Sequence, residues 1–441
     1  MAEIATANGK YFLATFGCQM NEYDSGLVGA MLERRGMDYT EDPELADLFI
    51  VNTCSIREGA EDRAMARIAA LRYHKRKRPG VRIAVIGCMA QNKGKEISSK
   101  LEHVDYVVGP DGYRELEDMI FIGDIDDGPR IWTEQNDFEN YEGMVARLGD
   151  GVSSHITIMR GCNKSCAYCI VPKVRGPEKS RNTAEIVEEA RRAVAGGKRE
   201  ICLLGQTVNS YRTEDDTFAS LIRKVDAVPG LRRLRFTSPH PRHFDAETIR
   251  AMAESPSVCN HVHLPLQSGS NSLLKKMRRQ YTRERYLEIV AELRTAIPDV
   301  AITTDIITGF VGETEQDFED TLSLMREVRF DHAFMFSYSP RPDTPAFAEV
   351  ETLSAAEKQE RLERVIELQI GISGESLDSM IGKEVELLVE GPSHRSDQEW
   401  VGKTRCLRTV VVPAAPGLDK GQYTQVKLTG RRGSALRGEV A

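Results

Sequence analysis

The sequence predicts an α/β chain of three units: a parallel-sheet α/β domain over residues 1–145, a partial (β/α)6 barrel over 152–375, and a small OB-like β-barrel over 380–441. Three patterns carry this reading. Short apolar runs alternate with helix-like stretches in the first unit, which argues a parallel sheet. Six β-rich runs alternate with helices in the second, which argues an open barrel. Short alternating strands with Gly/Pro turns fill the third. A chain of 441 residues, 41% hydrophobic and 29% charged, is long enough to bury a core in each.

Composition narrows the function classes. Nine cysteines at scattered spacing point to thiols and metal ligands rather than a disulfide framework. The stretch Met1 to Ala5 carries an acid and no apolar core, and nowhere do about 18 apolar residues run uninterrupted. The expectation is a cytoplasmic protein without signal peptide or membrane span. Net charge is −8, yet residues 381–441 hold ten Lys+Arg against seven Asp+Glu. A basic tail follows an acidic body.

In the first unit, Tyr11 to Phe16, Leu48 to Val51 and Arg82 to Ile86 read as strands, and Ser25 to Arg35 as a helix. Each strand is followed within three residues by a cysteine: Cys18, Cys54 and Cys88. Ligands of parallel sheets sit beyond the carboxyl ends of strands, so the three should converge. The alternative is three buried thiols, because free cysteine is among the most buried residue types. The basic run Arg72 to Arg82 is a candidate RNA contact, and the acidic, Gly-rich segment from Ile122 to Gly151 is the expected linker.

The central unit opens with an apolar strand from His155 to Met159, and Cys162, Cys166 and Cys169 follow at C-x3-C-x2-C spacing. Thiolates packed this closely suit a soft metal or an iron–sulfur cluster. Three ligands on a four-iron cube leave one iron open, and an open position is what a catalytic metal site needs. A zinc knuckle would need a fourth ligand, and no Cys or His follows until Cys202. The remaining strands are Ile201 to Leu204, Leu234 to Thr237, Val262 to Leu266, Ala301 to Ile307 and Ala333 to Tyr338, and their polar ends should face the cysteine loop. Histidines 240, 243, 261 and 263 receive no role, and Cys202, Cys259 and Cys406 read as inert. In the tail, Lys403, Arg405, Arg408, Lys427, Arg431, Arg432 and Arg437 form a candidate RNA backbone grip.

The cysteine triad with Tyr168 before its last member resembles the signature of radical S-adenosylmethionine (SAM) enzymes. The stretches Gly17 to Ser25, Asn52 to Glu58, His263 to Ser270, Thr304 to Ile307 and Tyr338 to Pro342 are similar to motifs of the tRNA methylthiotransferases. Gln19-Met20-Asn21 and Ser55 to Glu58 are most similar to the branch acting on N6-isopentenyladenosine. The resemblance covers nearly the whole chain, and its tail looks like a TRAM domain. It implies two 4Fe-4S clusters, an auxiliary one on Cys18, Cys54 and Cys88 and a radical SAM one on Cys162, Cys166 and Cys169. It further implies SAM as cofactor; among the polar strand ends Gln206, Asn209, Gln267 and Asp305 are the first choices for holding it, and Tyr168 for lying against its adenine.

The implied reaction adds a methylthio group to C2 of isopentenyladenosine at position 37 of tRNA. One SAM supplies the methyl group to a cluster-borne sulfur, and a second is cleaved to remove the C2 hydrogen. The implied partners are the tRNA anticodon stem-loop, an electron donor and a sulfur donor, with no membrane. Three departures stand out. Gly205-Gln206-Thr207 replaces the usual Gly-Gly-Glu, Lys173-Val174 replaces Tyr-Thr, and Val311 replaces proline. The rivals are the threonylcarbamoyladenosine and ribosomal-protein branches, and an iron–sulfur RNA sensor without turnover.

Overall fold

The computed structural model describes residues 9–55, 58–122 and 129–440. Ile56 and Arg57 of the second N-terminal motif, and the residues before Gly9, lie outside them. Six strands, β1 (Gly9–Thr15), β2 (Met37–Tyr39), β3 (Leu48–Thr53), β4 (Arg82–Gly87), β5 (Tyr106–Val108) and β6 (Arg130–Trp132), form one parallel sheet in the order β2-β1-β3-β4-β5-β6. The two-residue side-chain period divides β3 between two cores. Leu48 and Ile50 join Leu27, Val28 and Met31 of the helix Gln19–Arg34. Phe49 and Val51 join Ile68, Met89 and Ile97 on the other face. Covered on both sides, the strand is a continuous apolar run, as buried parallel strands are. The order reverses direction between β1 and β3, and such switch points open a crevice at the strands' carboxyl ends.

The expected linker is a strap. Its second part supplies β6, then buries Tyr141 completely, with the ring stacked on Tyr113 at 5.9 Å and the hydroxyl donating to Asp24 at 2.9 Å. The guanidinium of Arg147 lies 4.9 Å over the Tyr39 ring. A few aromatic anchors outweigh the acidic, Gly-rich composition that suggested a free tether. Residues 123–128 of that segment lie outside the described residues.

The central sheet is built from β7 (Ser153–Thr157), β10 (Glu200–Leu204), β11 (Arg233–Phe236), β12 (His261–His263), β13 (Ala301–Thr308) and β14 (His332–Ser337), with a short antiparallel pair β8 (Met159–Arg160) and β9 (Lys179–Ser180) between the first two. The order is β7-β10-β11, a bridge from Leu234 to Val258, then β12-β13-β14, all parallel. This is the open six-stranded partial barrel. Its outer face, with Ile156, Leu203, Val262, Ile302 and Ile306, packs on the helices. On the inner face, Cys202 and Leu204 are covered by Met20 and Tyr23 of the first unit. The far inner wall on β13 and β14 stays partly open.

Asp317 fixes the loop that follows β12. It accepts hydrogen bonds from Ser270 Oγ at 2.5 Å, from Thr314 N at 3.0 Å and from the Ser272 hydroxyl. Burial alone would raise its pKa, but these donors hold it down at about 2 against an ordinary 3.8. A depressed carboxylate stabilises the fold above its unfolded pKa and loses that contribution as pH falls. Acid titration followed by circular dichroism is expected to show this contribution lost between about pH 4 and 2 in the wild type and missing in Asp317→Asn.

The last five strands, β15 (Glu384–Ser393), β16 (Ser396–Thr404), β17 (Thr409–Pro413), β18 (Tyr423–Arg432) and β19 (Ala435–Val440), close a barrel in the order β15-β16-β17-β19-β18. It docks beneath the amino ends of the central strands. Arg233 donates to Lys403 O at 2.7 Å, and Arg235 reaches Arg405 O and Thr404 O, both at 2.9 Å, and Glu200 at 2.7 Å. Several residues of the expected RNA grip are spent here. Arg405 donates to Pro256 O and Val258 O, Arg408 pairs with Asp331, Arg431 with Asp378 and Arg437 with Glu399. Lys427 and Arg432 remain exposed. The basic run Arg72 to Arg82 is likewise engaged, with Lys75 on Asp105, Lys77 on Glu44 and Arg82 on Ile120 O. Sequence shows a charge but not its partner. Arg235→Ala strands Glu200 in a buried seam, and breaking such a pair costs about 3–5 kcal/mol. Limited proteolysis is expected to release the barrel from this variant first.

Candidate active site of two cysteine triads

The first triad lies at the switch point. Cys18 caps the helix Gln19–Arg34, Cys54 follows β3 and Cys88 opens the helix Cys88–Lys100 after β4. Register places Thr15 beside Asn52 and Thr53 beside Gly87, so the three cysteines leave the sheet side by side. Gly87 has φ +93°, and a Cβ there would stand 2.5 Å from Thr53 O, so only glycine lets Cys88 tuck against β3. Two fully buried asparagines lock the arrangement. Asn21 Nδ2 donates to Asn52 Oδ1 at 2.8 Å and to Thr53 O at 3.0 Å, and Asn52 Nδ2 donates to Asn21 O at 2.8 Å. Asn21 Oδ1 also accepts from Cys18 Sγ at 3.5 Å. Asn21 belongs to the Gln19-Met20-Asn21 motif, which thereby gains a physical role.

Charge is arranged around these sulfurs. The Cys54 thiol donates to Cys18, and Arg175 and the N–H groups of Asn21 and Met20 add positive field, so the Cys18 thiol is held well below its ordinary range. Burial pushes Cys88 up, against the pull of Arg175. Arg175 Nε lies 3.2 Å from Cys88 Sγ, and its Nη2 donates to Asp24 at 2.8 Å. Asp24 is fully buried and also accepts from Tyr113 and Tyr141.

The second triad sits in the loop bracketed by β8 and β9. Gly161, at φ +73°, opens it, where a Cβ would stand 1.8 Å from Pro177 O. Cys162, Cys166 and Cys169 line one open cavity of about 450 Å³ together with Lys164, Lys173 and Asp343. Cys162 Sγ meets Thr207 Oγ1 at 3.5 Å, and the buried Arg279 donates to Cys166 Sγ at 3.5 Å. Burial raises the Cys162 thiol and drives Cys169 up to about 12. Ile170 and Val174 pack against Cys88, and Arg175 follows, so within five residues of Cys169 the chain touches the first triad. Among the described residues no three His, Cys, Asp or Glu side chains are gathered to hold a single metal ion. A larger recess of about 680 Å³, between β1, the strap and Lys420, contains none of the six cysteines.

The strand-end residues divide. Tyr168 stands edge-on to Phe310 at 6.3 Å. Gln206 follows β10 with a buried Oε1 that has no hydrogen-bond partner. Gln267 holds a left-handed backbone, φ 70°, bonded to Asp305 O and Ile307 N. Asp305 accepts from His263 Nε2 at 3.2 Å. Asn209 turns instead to the backbone of His240, donating to its O at 2.9 Å and accepting from its N at 2.8 Å. His240 is pushed down to about 2 by burial and by Arg279, so it stays neutral. Sequence reasoning missed Arg175, Arg279 and Asp24. Asp24 lies in the stretch Gly17 to Ser25 and Arg175 directly follows Lys173-Val174, which were the available signals, whereas burial of a charge leaves no mark in composition.

Three family models match in order: "Uncharacterized protein family UPF0004" over residues 10–109, the Radical SAM superfamily over 156–325 and the TRAM domain over 378–441. A tRNA-2-methylthio-N(6)-dimethylallyladenosine synthase of Porphyromonas gingivalis is 43% identical over 443 residues, covering 98% of this chain and 95% of the relative. One of Moorella thermoacetica is 40% identical over 98% of this chain and 99% of its own. The chain belongs to the tRNA-2-methylthio-N(6)-dimethylallyladenosine synthase family. Among solved structures, a radical SAM methyltransferase, TsrM, of Kitasatospora setae, with cobalamin and a [4Fe-4S] cluster bound, superposes with a TM-score of 0.57 at 16% identity, over 77% of each chain. That likeness shows the fold alone. The family uses SAM and 4Fe-4S clusters, and all-thiol triads are of the chemistry that suits iron–sulfur clusters. Among the described residues no helix is long and apolar enough to cross a membrane.

Proposed function

We propose that Cys18, Cys54 and Cys88 hold one 4Fe-4S cluster and Cys162, Cys166 and Cys169 a second, in a radical SAM methylthiotransferase that modifies C2 of N6-isopentenyladenosine at position 37 of tRNA. One observation supports this above the rest: two all-thiol triads from distant sequence meet across Ile170, Val174 and Arg175. Residues 1–145 would carry the auxiliary cluster, 152–375 the SAM site and 380–441 the RNA-binding barrel. When bound, a cube with one open iron supplies reductive cleavage of SAM, and the auxiliary cluster supplies sulfur.

The chain's own residues do the positioning. Arg279 and Arg175 place a fixed positive charge beside each set of thiolates, which offsets the cost of burying anionic sulfur. Tyr168 offers its ring to the adenine of SAM. Gln206, Gln267 and Asp305 offer polar atoms to its other end, with Asn209 holding the turn beside them. The open acceptor on Gln206 meets the SAM ammonium where Gly-Gly-Glu is absent. A hydrogen bond to a charged group contributes about 1.5–3 kcal/mol, so Gln206→Ala is expected to weaken equilibrium SAM binding roughly 10- to 100-fold. Filter binding with labelled SAM measures this.

The tRNA anticodon loop presents an unpaired base that leaves its stack at low cost. An electron donor and a sulfur donor are required partners, in the cytoplasm. The ligand assignment is tested by iron content. The wild type is expected to hold about eight iron atoms after anaerobic reconstitution, and the Cys18, Cys54, Cys88→Ala triple variant about four. Unchanged iron in the triple variant would reject it.

A further inference from the structure

The inner wall on β13 and β14 exposes aromatic surface beside the cysteine loop. Parallel register pairs Asp305 with Phe334 and Ile307 with Phe336, so these four side chains share one face. The alternate residues, Ile302, Ile306, Ala333 and Met335, pack outward on the helices. Phe334 is 46% exposed and Phe336 37%. Two partly exposed phenylalanines two residues apart on the inner side of a barrel strand present apolar surface to the barrel interior. Edge-on rings of His263, at 5.8 Å, and His332, at 4.9 Å, steady Phe334 from either side. Upward, the strip is continuous with the site. Ile307 packs with Ala167, Tyr168, Phe310 and Tyr338, and Tyr168 directly precedes Cys169.

We infer that Phe334, Phe336 and Ile307 form the wall that receives the branched apolar N6 substituent of the substrate base. The inference rests on the reading of prenylated adenosine as substrate. In adenine, C2 and C6 are separated only by N1, so a base that turns C2 toward the cysteine loops carries its N6 chain along the wall beside them. The opposite wall, at Cys202 and Leu204, is already covered by Met20 and Tyr23. The strip on β13 and β14 is apolar at Ile307, Phe334 and Phe336, with Asp305 turned to His263. It offers an alkenyl chain an apolar contact area that a bare amino group cannot fill. Preference for the prenylated base follows.

The test is equilibrium binding of anticodon stem-loop RNA, with and without the N6-isopentenyl group, to anaerobically reconstituted enzyme with SAM. The wild type is expected to prefer the prenylated RNA. Phe334→Ser and Phe336→Ser each lower that preference by about tenfold, within the range for lost apolar contacts in a pocket. Phe334→Leu restores most of it. Ile370→Ser, at a 67% exposed position on the helix Ala355–Asp378, keeps the wild-type ratio. Cluster absorbance and melting temperature confirm that each variant is folded. An unchanged ratio in both serine variants, or equal weakening toward both RNAs, would overturn the inference and leave the substrate reading standing. A wild type without preference for the prenylated RNA that also yields no methylthio product would overturn both.

Discussion

Cys162→Ala is expected to reduce both 5′-deoxyadenosine formation and methylthio product to background. Loss of a group merely supporting a metal ligand costs about 10- to 100-fold, and on the proposed assignment Cys162 is itself a ligand, so its loss costs more. Cys162 lines the cavity of the second triad, with Thr207 Oγ1 and the Lys164 N–H on its sulfur, and no cysteine outside the triad lines that cavity to replace it. Cys18→Ala should behave differently. Cys18 lies across Ile170 and Val174, in the other triad, so SAM cleavage should continue while sulfur insertion stops. Chromatography of both products from one reaction separates the two outcomes. Full product from Cys18→Ala would contradict a division of labour between the triads.

The second large effect is expected at Arg175. Its guanidinium is 3% exposed, with Nε 3.2 Å from Cys88 Sγ and Nη2 2.8 Å from a fully buried Asp24. Arg175→Met removes the cation and leaves Asp24 with two tyrosine hydroxyls. Truncating one partner of a buried ion pair costs about 3–5 kcal/mol. The melting temperature should fall, and iron should be lost first from the triad that Cys88 belongs to. Arg175→Lys should rescue poorly, because a single ammonium cannot span both partners as a planar fork does. Differential scanning fluorimetry with iron analysis tests this, and wild-type stability with full iron in Arg175→Met would count against it.

What was legible in the sequence follows from what sequence records. Strands β3 and β4 stood out because burial on both faces demands uninterrupted apolar runs, and β1, buried only at Tyr11, by its apolar run alone. Cys162, Cys166 and Cys169 stood out by their local spacing, and Cys18, Cys54 and Cys88 by their common place at the ends of three apolar strands. Between Val401 and Val412 the β-rich tail is divided between two strands, β16 and β17. The chain turns at Arg405 to Arg408, with Leu407 at φ 64°. Asn21 was legible as part of a motif, but its role needed Asn52, 31 residues away. Arg408 read as an RNA contact because a charge shows without its partner, and that partner, Asp331, is 77 residues distant. The strap around Tyr141 looked like a linker because one buried ring counts little in composition and much in packing. Arg279 gave no sign at all, since only the folded loop brings it to Cys166.

The central claim is that this chain uses two clusters to place a methylthio group on C2 of a prenylated adenosine in tRNA. The most direct measurement is mass spectrometry of nucleosides from isopentenylated tRNA, incubated anaerobically with reconstituted enzyme, SAM and a reductant. The expected result is 2-methylthio-N6-isopentenyladenosine, with 5′-deoxyadenosine in the same tube. 5′-Deoxyadenosine without the methylthio nucleoside would contradict the substrate, and neither product from enzyme holding both clusters would contradict the chemistry.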